Sequence, residues 1–314
     1  QVQHHHAHMA ACMADNGLTG DVIGLIWDGT GLGTDNTIWG GECLVGGYEA
    51  VKRLGSIRPI PLPGGDTAIR QIGRIGEALR CEAGLPARDK LVAAMIARGV
   101  NCPASSGMGR LFDGVYALIT DRRSVSYEGQ GATLLEALAE GAPGETGSYP
   151  IEFYDDNGVR RFDWRAMITA LNADLSGGLL PEAAAMRFHH TLMSMAVSQC
   201  EHAREETGLS RVVLSGGEPL LHPRLPDILE RATSKGLKVT ISTNGTRITP
   251  DYARMFKQLG VAYVGISLDG IGDIHDQFRG VKGAFEGAIR GFRLCEEACL
   301  LYTSPSPRDK RQSR

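Results

Sequence analysis

Two histidines near the start of the chain have the spacing of a metal-binding pair. His4 and His8 lie four positions apart in QHHHAHMAACMA, so a helix would place both imidazoles on one face, close enough to share a metal ion. Three adjacent histidines are also typical of a purification-tag remnant. The amphipathic Met/Ala/Cys stretch that follows directly is not a tag feature, and it favours a metal site.

A carboxylate and a glycine-rich turn follow downstream. Asp28 comes at the end of the apolar run VIGLIW, and Gly29, Gly31 and Gly33 occupy the next turn. Glycines let backbone N–H groups surround phosphate oxygens, because no Cβ obstructs the approach. A carboxylate at the strand end can hold the cation that neutralises that phosphate. Most Asp-Gly turns, however, are plain hairpin turns.

A second glycine loop follows a later apolar strand. Ser215, Gly216 and Gly217 come directly after the run VVL. Two strand-end glycine loops in the two halves of a domain suit a nucleotide held in the cleft between the halves. This arrangement is typical of actin-like ATPases.

The elements that must position these residues fall into two patterns. Before residue 211 we expect a hairpin at 21–45, a strand near 58–62, helices at 66–84, 88–97 and 109–119, a hairpin at 149–164 and a long helix at 181–208. After it, strands at 212–214, 237–242 and 261–268 alternate with helices at 223–235, 250–259 and 283–297. Such βαβ units predict a parallel sheet.

Composition limits the classes of protein. A chain of 314 residues that is 42% hydrophobic suggests two globular units. The net charge of -3 is spread without a basic block, which argues against nucleic-acid or membrane partners. Seven scattered cysteines without a Cys-x-x-Cys pair fit a reducing cytoplasm. No apolar run is long enough to cross a bilayer.

Seven segments occur in the order found in one enzyme family. They are VQHHHAHMAACMA, IWDGTGLGTD, IWGGE, PLPGGDTAIR, SSGMGRLFDGV, SYEGQGATLLEALA and RFHHTL with VVLSGG. Residues 1 to about 217 therefore resemble HypF-type carbamoyltransferases of hydrogenase maturation. The resemblance implies an α/β fold of the actin-like (ASKHA) type. It also implies transfer of a carbamoyl group from carbamoyl-adenylate, made with ATP, to the C-terminal Cys of a HypE-type partner, the source of the cyanide ligand.

The resemblance also implies roles for individual residues. His4, His8 and Asp28 would bind a divalent metal, zinc or iron, with Asp28 also catalytic. The glycines at 29, 31 and 33 and the loop at 215–217 would approach the phosphate or nucleotide. Arg110 would contact an anion during catalysis, and Asp113 would contact ribose hydroxyls.

Alternatives remain open for several of these side chains. Asp113 could merely solvate a buried helix face. The loop at 64–66 would line the cleft, although Asp66 could be only a helix N-cap. His189 and His190 lie in the middle of a helix, where packing explains them better than metal binding.

The family pattern changes at the second glycine loop. An Asp-Gly-Gly motif that completes the metal site in the family is absent, and Glu218-Pro219-Leu220 follows instead. The upstream domains that make carbamoyl-adenylate are not present either, so we expect a fragment with doubtful activity alone. Its alternative is an inactive metal- or nucleotide-binding module.

The segment from about 214 to 298 resembles a second family. LSGGEPLLHPRL, VTISTNGT and GISLDGIGDIHDQFRG resemble radical SAM enzymes of haem d1 biosynthesis, of the NirJ type. In that family Gly216, Gly217 and Glu218 would meet the SAM amino group. Further residues would lie near the cofactor: Ser242, Asn244 and Ser267.

The loop needed for radical chemistry is missing. No Cys-x-x-x-Cys-x-x-Cys motif precedes the segment, and Cys295 and Cys299 follow it, with Tyr302 where a third Cys is required. We therefore expect neither SAM nor a [4Fe-4S] cluster to be functional. We interpret the chain as an assembly chimera of an incomplete carbamoyltransferase domain (1–217) and a partial radical SAM half barrel (218–298). A disordered tail would follow at 299–314.

Overall fold

A mixed sheet runs through the whole of the described chain. The computed structural model describes residues 2–216, 220, 225–266, 268, 270–279, 282–300 and 302–303. The strands are β1 (Val22–Leu32), β2 (Ile38–Gly46), β3 (Val51–Ile57), β4 (Ile60–Pro61), β5 (Ala104–Ser105), β6 (Glu152–Asp156), β7 (Val159–Asp163), β8 (Arg211–Gly216), β9 (Lys238–Thr243), β10 (Tyr263–Ile266) and β11 (Tyr302–Thr303).

Helices cover the sheet. They are α1 (His4–Asp15), α2 (Asp66–Arg70), α3 (Gly73–Glu82), α4 (Lys90–Arg98), α5 (Met108–Thr120), α6 (Gln130–Ala139), α7 (Arg165–Ser176), α8 (Pro181–Thr207), α9 (Leu225–Ser234), α10 (Pro250–Gln258), α11 (Asp273–Arg279) and α12 (Ala284–Glu297). Among the described helices, none combines the length and the apolar character that crossing a membrane requires.

Strand β8 joins the two halves of the sheet. The strand order is β11-β10-β9-β8-β1-β2-β3-β7-β6, with β4 and β5 attached beside β2. β8 lies parallel to β1 on one side and parallel to β9 on the other, and β10 and β11 continue in parallel. The parallel sheet expected from the βαβ pattern is present. It adds to the first sheet beside β8, the strand at 211–216 next to which the sequence analysis expects the further parallel strands.

Helix α1 packs closely on β1 because β1 carries glycines beneath it. A Cβ on Gly24 would lie 2.6 Å from Met9 Sδ, so a larger residue would push the helix away. Met9 and Met13 are fully buried there, in a cluster with Trp39 and Val213. Apolar burial of this kind is the main stabilising term in folding. The cluster fixes α1 across β1, β2 and β8.

Several sequence predictions agree with the structure. The hairpin at 149–164 forms as β6 and β7, and the long helix forms as α8, which begins at Pro181 and ends before Gly208 in the left-handed region. Pro at the first turn and Gly after the last turn are the expected boundary residues.

Other predictions were wrong. The helix expected at 66–84 is two helices, because the chain turns at 71–72 and the Gly73 amide donates to Arg123 O at 3.0 Å. Asp66 is not the N-cap; Gly65 occupies that position, and no side chain caps α2. The sequence analysis also missed α6, α7 and α11. The strand expected near 58–62 corresponds to the short strand β4, whereas β3 was missed.

The end of the described chain differs from expectation as well. The tail was expected to be loose from residue 299, but Tyr302 and Thr303 pair with Val264 and Gly265 of β10. Strand pairing at an exposed sheet edge needs only backbone groups, which a reading of side-chain composition does not detect.

Candidate metal and nucleotide site

The structure brings His4, His8 and Asp28 together. His4 Nε2 lies 2.9 Å from Asp28 Oδ2, and His8 Nε2 lies 3.2 Å from His4 Nε2 and 3.7 Å from Asp28 Oδ2. All three side chains are partly exposed. Two imidazole nitrogens and a carboxylate oxygen converge here, a donor set that suits Zn²⁺ or Fe²⁺. The residues present therefore fit the metal that the sequence predicts.

Helix α1 begins where it does because Gln3 caps it. Gln3 Oε1 accepts a hydrogen bond from His6 N at 2.9 Å, and Gln3 Nε2 donates to Leu32 O at 3.1 Å. The first bond satisfies an N–H group that the helix leaves without a partner. The second ties the helix start to β1. Together they set the histidine face against the strand that carries Asp28.

The predicted position of Asp28 at a strand end was wrong. Asp28, Gly29 and Gly31 lie inside β1, since the β1–β2 ladder resumes after a bulge and pairs Gly31 with Trp39. A Cβ on Gly31 would lie 2.5 Å from His4 Cδ2, so this glycine lets the histidine helix approach. Gly33 follows the strand, and a Cβ there would collide with Trp39 Nε1. Contact of these glycines with phosphate stays a prediction.

The electrostatics of the cluster favour an ionised Asp28 beside a neutral His8. Partial burial works to raise the pKa of Asp28, but hydrogen bonds from His4 and the Gly29 amide outweigh it and leave that pKa lowered. Burial, and then the neighbouring His4, lowers the pKa of His8. A ligand pair of neutral histidine and ionised aspartate is the form that metals bind.

His5 belongs to the cluster, although the sequence analysis did not select it. A ligand atom of His5 lies within 4.8 Å of those of His4 and Asp28. The side chain is fully buried, and burial lowers its pKa to about 4. His6, in contrast, points to the other side, where Nε2 lies 2.8 Å from Gly47 O. The i, i+4 pattern could not reveal His5, because its position depends on the packing of α1 against Gly31 of β1 and Trp39 of β2.

Arg110 and Asp113 form a buried pair on α5. Arg110 Nη2 lies 3.4 Å from Asp113 Oδ2 and 3.0 Å from Glu128 Oε1. Arg110 Nε and Nη1 and Asp113 Oδ1 are buried without hydrogen-bond partners. Burial raises the pKa of Asp113 to about 6, against the opposing effect of Arg110. Unpaired donors and an unpaired acceptor beside each other are the groups that an added polar ligand would satisfy.

The N-terminus of α5 lies directly beside the strand position next to Asp28. A Cβ on Gly107, the N-cap of α5, would lie 2.3 Å from Gly29 O, and one on Gly29 would lie 3.6 Å from Arg110 Nη2. The helix start and the Arg110 guanidinium therefore lie next to the cluster of His4, His8 and Asp28. Both carry positive charge suited to a phosphate.

The buried carboxylate of Glu42 links the strands beside the site to the start of α5. Glu42 is fully buried; its Oε2 accepts from Arg53 Nε at 2.6 Å, and its Oε1 accepts from Ser106 Oγ at 2.6 Å. Arg53 also stacks over Trp39, 3.9 Å from the ring centroid. Glu42 thus connects β2, β3 and the residue before the α5 N-cap. Its motif IWGGE was part of the resemblance, but no role was assigned to it.

Ser215 and Gly216, which were expected in a loop after the strand, lie inside β8 beside β1. Ser215 pairs with Ile26, and Gly216 pairs with Trp27, the residue before Asp28. Gly217 lies outside the described residues, as do Glu218 and Ser267. The side chain of Ser242 is likewise not described. The side chain of Asn244 is described, and its Oδ1 accepts a hydrogen bond from Thr246 N at 2.9 Å.

The remaining candidate residues, at 64–65 and 189–190, take part in turns, hydrogen bonds and packing within the fold. Gly64 and Gly65 make a turn of positive φ into α2, and Gly64 N donates to Asn101 O. His189 is buried against Phe112, with Nδ1 2.8 Å from Ala185 O, and His190 Nδ1 lies 2.7 Å from Gly147 O. These contacts agree with the packing interpretation of both histidines.

The two cysteines of the C-terminal segment have different environments. Cys295 is buried, and burial raises its pKa to about 11. Cys299 is exposed, at φ 53° just after α12. Iron–sulfur clusters bind thiolates, which a raised pKa disfavours.

Fold and site together define an α/β protein with a histidine–carboxylate cluster beside a helix N-terminus. A family model described as the carbamoyltransferase Kae1-like domain, second subdomain, matches residues 24–245. The match covers more than half of the chain, so the chain belongs to this carbamoyltransferase family. It runs through β8 and the whole of β9.

Curated relatives carry the HypF name. The chain is 35% identical over 273 residues to carbamoyltransferase HypF2 of Cupriavidus necator, with 76% of this chain and 33% of the relative covered. It is 39% identical over 238 residues to the carbamoyltransferase HypF homolog of the same species, with 69% and 59% covered. The chain thus spans from a third to three-fifths of the length of these relatives.

Solved structures agree with the sequence relatives. A full-length HypF in its phosphate- and nucleotide-bound form is similar with a TM-score of 0.69 at 33% identity, covering 76% of this chain and 39% of that one. The HypF of T. kodakarensis gives 0.64 at 27% identity, covering 77% and 34%. The predicted α/β fold of the HypF type is confirmed.

A C-terminal segment is similar to a different group. Over 86 residues the chain is 48% identical to the Fe-coproporphyrin III synthase of Methanosarcina barkeri, covering 27% of this chain and 22% of the relative. Over 105 residues it is 41% identical to the pre-heme d1 synthase of Dinoroseobacter shibae, covering 32% and 26%. The predicted resemblance to radical SAM haem synthases is confirmed for this segment.

Proposed function

We propose that residues 1–217 are the carbamoyl-transfer domain of a HypF-type enzyme. Its reaction moves a carbamoyl group from carbamoyl-adenylate to the C-terminal Cys thiol of a HypE-type partner: a C–S bond forms, the C–O bond breaks, and AMP leaves. The observation that carries the proposal is the convergence of His4, His8 and Asp28 next to Arg110. We place the reaction in a reducing cytoplasm, where the thiol of the partner stays free.

His4, His8 and Asp28 would hold zinc or iron. A bound metal of this kind polarises a phosphate or carbamoyl oxygen as a Lewis acid. The hydrogen bond between His4 and Asp28 orients the carboxylate before any ligand binds. Gln3 and Gly31 keep the helix at the distance that this contact needs.

Arg110 and the α5 N-terminus would bind the phosphate of the nucleotide. Two nitrogens of Arg110 lack partners, so the guanidinium can donate to a phosphate oxygen without breaking its contacts with Asp113 and Glu128. Asp113 Oδ1 would accept from a ribose hydroxyl. The solved HypF structure with phosphate and nucleotide supports this class of ligand. Ser215 and the glycines at 216 and 217 would close the cleft from β8.

Metal titration tests the ligand set. Isothermal titration of Zn²⁺ into the full chain should give one tight site, and His4→Ala/His8→Ala should weaken it at least a hundredfold. His202→Ala on α8 is the matched control, since it removes an imidazole elsewhere. Equal metal uptake by the wild type and the double variant would exclude the site.

A transfer assay tests the reaction separately. The full chain would be mixed with carbamoyl-adenylate and a peptide that ends in Cys, and the mass gain of the peptide would be followed. Asp28→Asn and Arg110→Gln should each lower the rate by at least tenfold. Metal binding without transfer would instead support an inactive metal- or nucleotide-binding module.

The radical SAM segment supports a second candidate, an enzyme of haem d1-type cofactor biosynthesis. The 48% identity over 86 residues favours it. Because the cluster-binding cysteine loop is absent, we expect no [4Fe-4S] cluster and no use of SAM. Anaerobic reconstitution with iron and sulfide tests this. A cluster absorbance that disappears on mutating Cys295 and Cys299 would contradict the expectation.

A further inference from the structure

We propose that a cavity between α3, α4, α5 and α7, here called the arginine cavity, binds a small phosphate-bearing ligand. None of the residues of the metal cluster lines it. The site would be separate from the carbamoyl-transfer cleft. It does not depend on the function proposed above.

The arginine cavity has the size of a small-molecule site. It consists of two adjoining spaces of about 340 and 620 Å³. Small-molecule sites are typically of about 300–1,000 Å³. The two spaces share five lining residues: Arg80, Arg88, Leu118, Asp121 and Arg123.

The lining is rich in arginine, and most of its acidic groups are engaged. Arginines at 74, 80, 88, 122 and 123 face acids at 77, 89 and 121. Glu77 accepts from the Arg88 amide at 2.7 Å, and Asp89 caps α4. Asp121 lies 3.5 Å from Arg88, but its side chain is 79% exposed. Such an exposed ion pair contributes little to stability, so Arg88 can exchange Asp121 for an anion that binds it more strongly.

Arg80 supplies a buried positive charge without a counter-ion. It is 6% exposed, and its guanidinium donates to Asn172 Oδ1 at 2.7 Å and to Pro86 O at 2.9 Å. Both acceptors are neutral. Within the part of the chain that the structure describes, no carboxylate lies within 4.0 Å of Arg80. Burial and then Arg88 lower the pKa of Arg80, and the nearby charge of Glu77 opposes this only in part.

Two further arginines are available for direct contact. In the described residues, the side chains of Arg122 and Arg123 form neither an ion pair nor a hydrogen bond, and both are exposed. The planar guanidinium matches the oxygens of a phosphate and binds them through paired N–H donors. A phosphate group between Arg88 and Arg123 would therefore gain direct bonds and offset the buried charge of Arg80.

Binding of inorganic pyrophosphate tests the proposal. The full chain would be titrated calorimetrically in EDTA, so that no metal can hold the anion. We expect a site, distinct from any phosphate binding at Arg110, whose affinity falls about tenfold in Arg123→Gln and in Arg88→Gln, as loss of one charge-assisted contact implies. Arg98→Gln, an exposed arginine on α4 outside the cavity, is the matched control and should bind as the wild type does.

Two further variants keep the result interpretable. His202→Ala, on α8 outside the cavity, should leave pyrophosphate binding unchanged. Arg80→Met should abolish binding if it folds; if it does not, the two exposed variants decide. The proposal is overturned if pyrophosphate does not bind, or if Arg98→Gln or His202→Ala weakens binding equally. It is also overturned if only an acidic peptide binds.

Discussion

Replacing Asp113 by Asn should change how the stability of the protein depends on pH. Asp113 is 1% exposed, its Oδ1 has no partner, and its Oδ2 lies 3.4 Å from Arg110. Burial raises its pKa from 3.8 to about 6; Arg110 opposes this shift and Glu128 adds to it. The folded protein therefore holds the Asp113 proton more tightly than the unfolded chain does.

The direction and size of the effect follow from these two pKa values. The stabilisation from protonated Asp113 is fully present below the unfolded pKa of 3.8 and is lost as the pH rises through about 6. At about 1.36 kcal/mol per unit, the complete loss is roughly 3 kcal/mol. Some of it has already occurred at pH 4, so about 2 kcal/mol remains between pH 4 and pH 8.

Urea unfolding of the wild type and Asp113→Asn at pH 4, 6 and 8 measures this directly. The free energy of unfolding of the variant, minus that of the wild type, should rise by about 2 kcal/mol from pH 4 to pH 8. Exchange of the protonated carboxyl for an amide adds an offset that is the same at every pH, and the contact of the ionised carboxylate with Arg110 is already included in the pKa of Asp113. Asp251→Asn, at a carboxylate that is 87% exposed, is the control. A difference that stays constant or falls with pH would refute the reasoning.

Three other outcomes can be measured on the same protein. Gly31→Ala should push α1 away from β1, because its Cβ would lie 2.5 Å from a ring carbon of His4. The affinity for Zn²⁺, measured by calorimetric titration, should fall at least tenfold. Gly144→Ala is the control and should leave this affinity unchanged, since its Cβ would have no atom within 4 Å. Glu42→Gln should lower the free energy of unfolding by about 3 kcal/mol, because it removes the buried carboxylate that pairs with Arg53. Urea unfolding measures this, and a decrease of less than about 0.5 kcal/mol would contradict the prediction. Because one sheet runs through both halves, tryptophan fluorescence and far-UV circular dichroism should report one coincident thermal transition, and two separate transitions would show independent halves. The fluorescence reports only the first half, which holds Trp27, Trp39 and Trp164.

The parts of the fold that could be predicted carry strong local signals. Helix α8 has Pro181 at its first position and Gly208 after its last, and the β6–β7 hairpin turns at Asn157-Gly158. The missed helices lack such signals. α6 follows Gly129, and α7 follows Trp164, and neither N-cap makes a side-chain hydrogen bond. Tertiary packing, which one sequence does not display, fixes these helices.

The site was predictable where spacing alone determines geometry. His4 and His8 share a helix face, so their proximity could be read from the sequence, whereas Arg110 and Asp113 were selected only through the family resemblance. Asp28 lies inside β1 because the strand continues after a bulge. His5 joins the cluster because α1 lies close to Gly31. Such features arise from contacts between distant segments, and no local pattern encodes them.

Strand β8 also has a protective consequence for the strand that carries Asp28. Its backbone pairs with β1 from Ile23 to Trp27 and leaves no free hydrogen-bonding row on that side. Without β8, the apolar and nearly unbroken run of β1 would become an open template for a strand of another molecule, the usual beginning of aggregation. A C-terminal segment that comes from a carbamoyltransferase or from a radical SAM protein can therefore protect the molecule from aggregation by pairing with β1, even if it contributes no catalytic group.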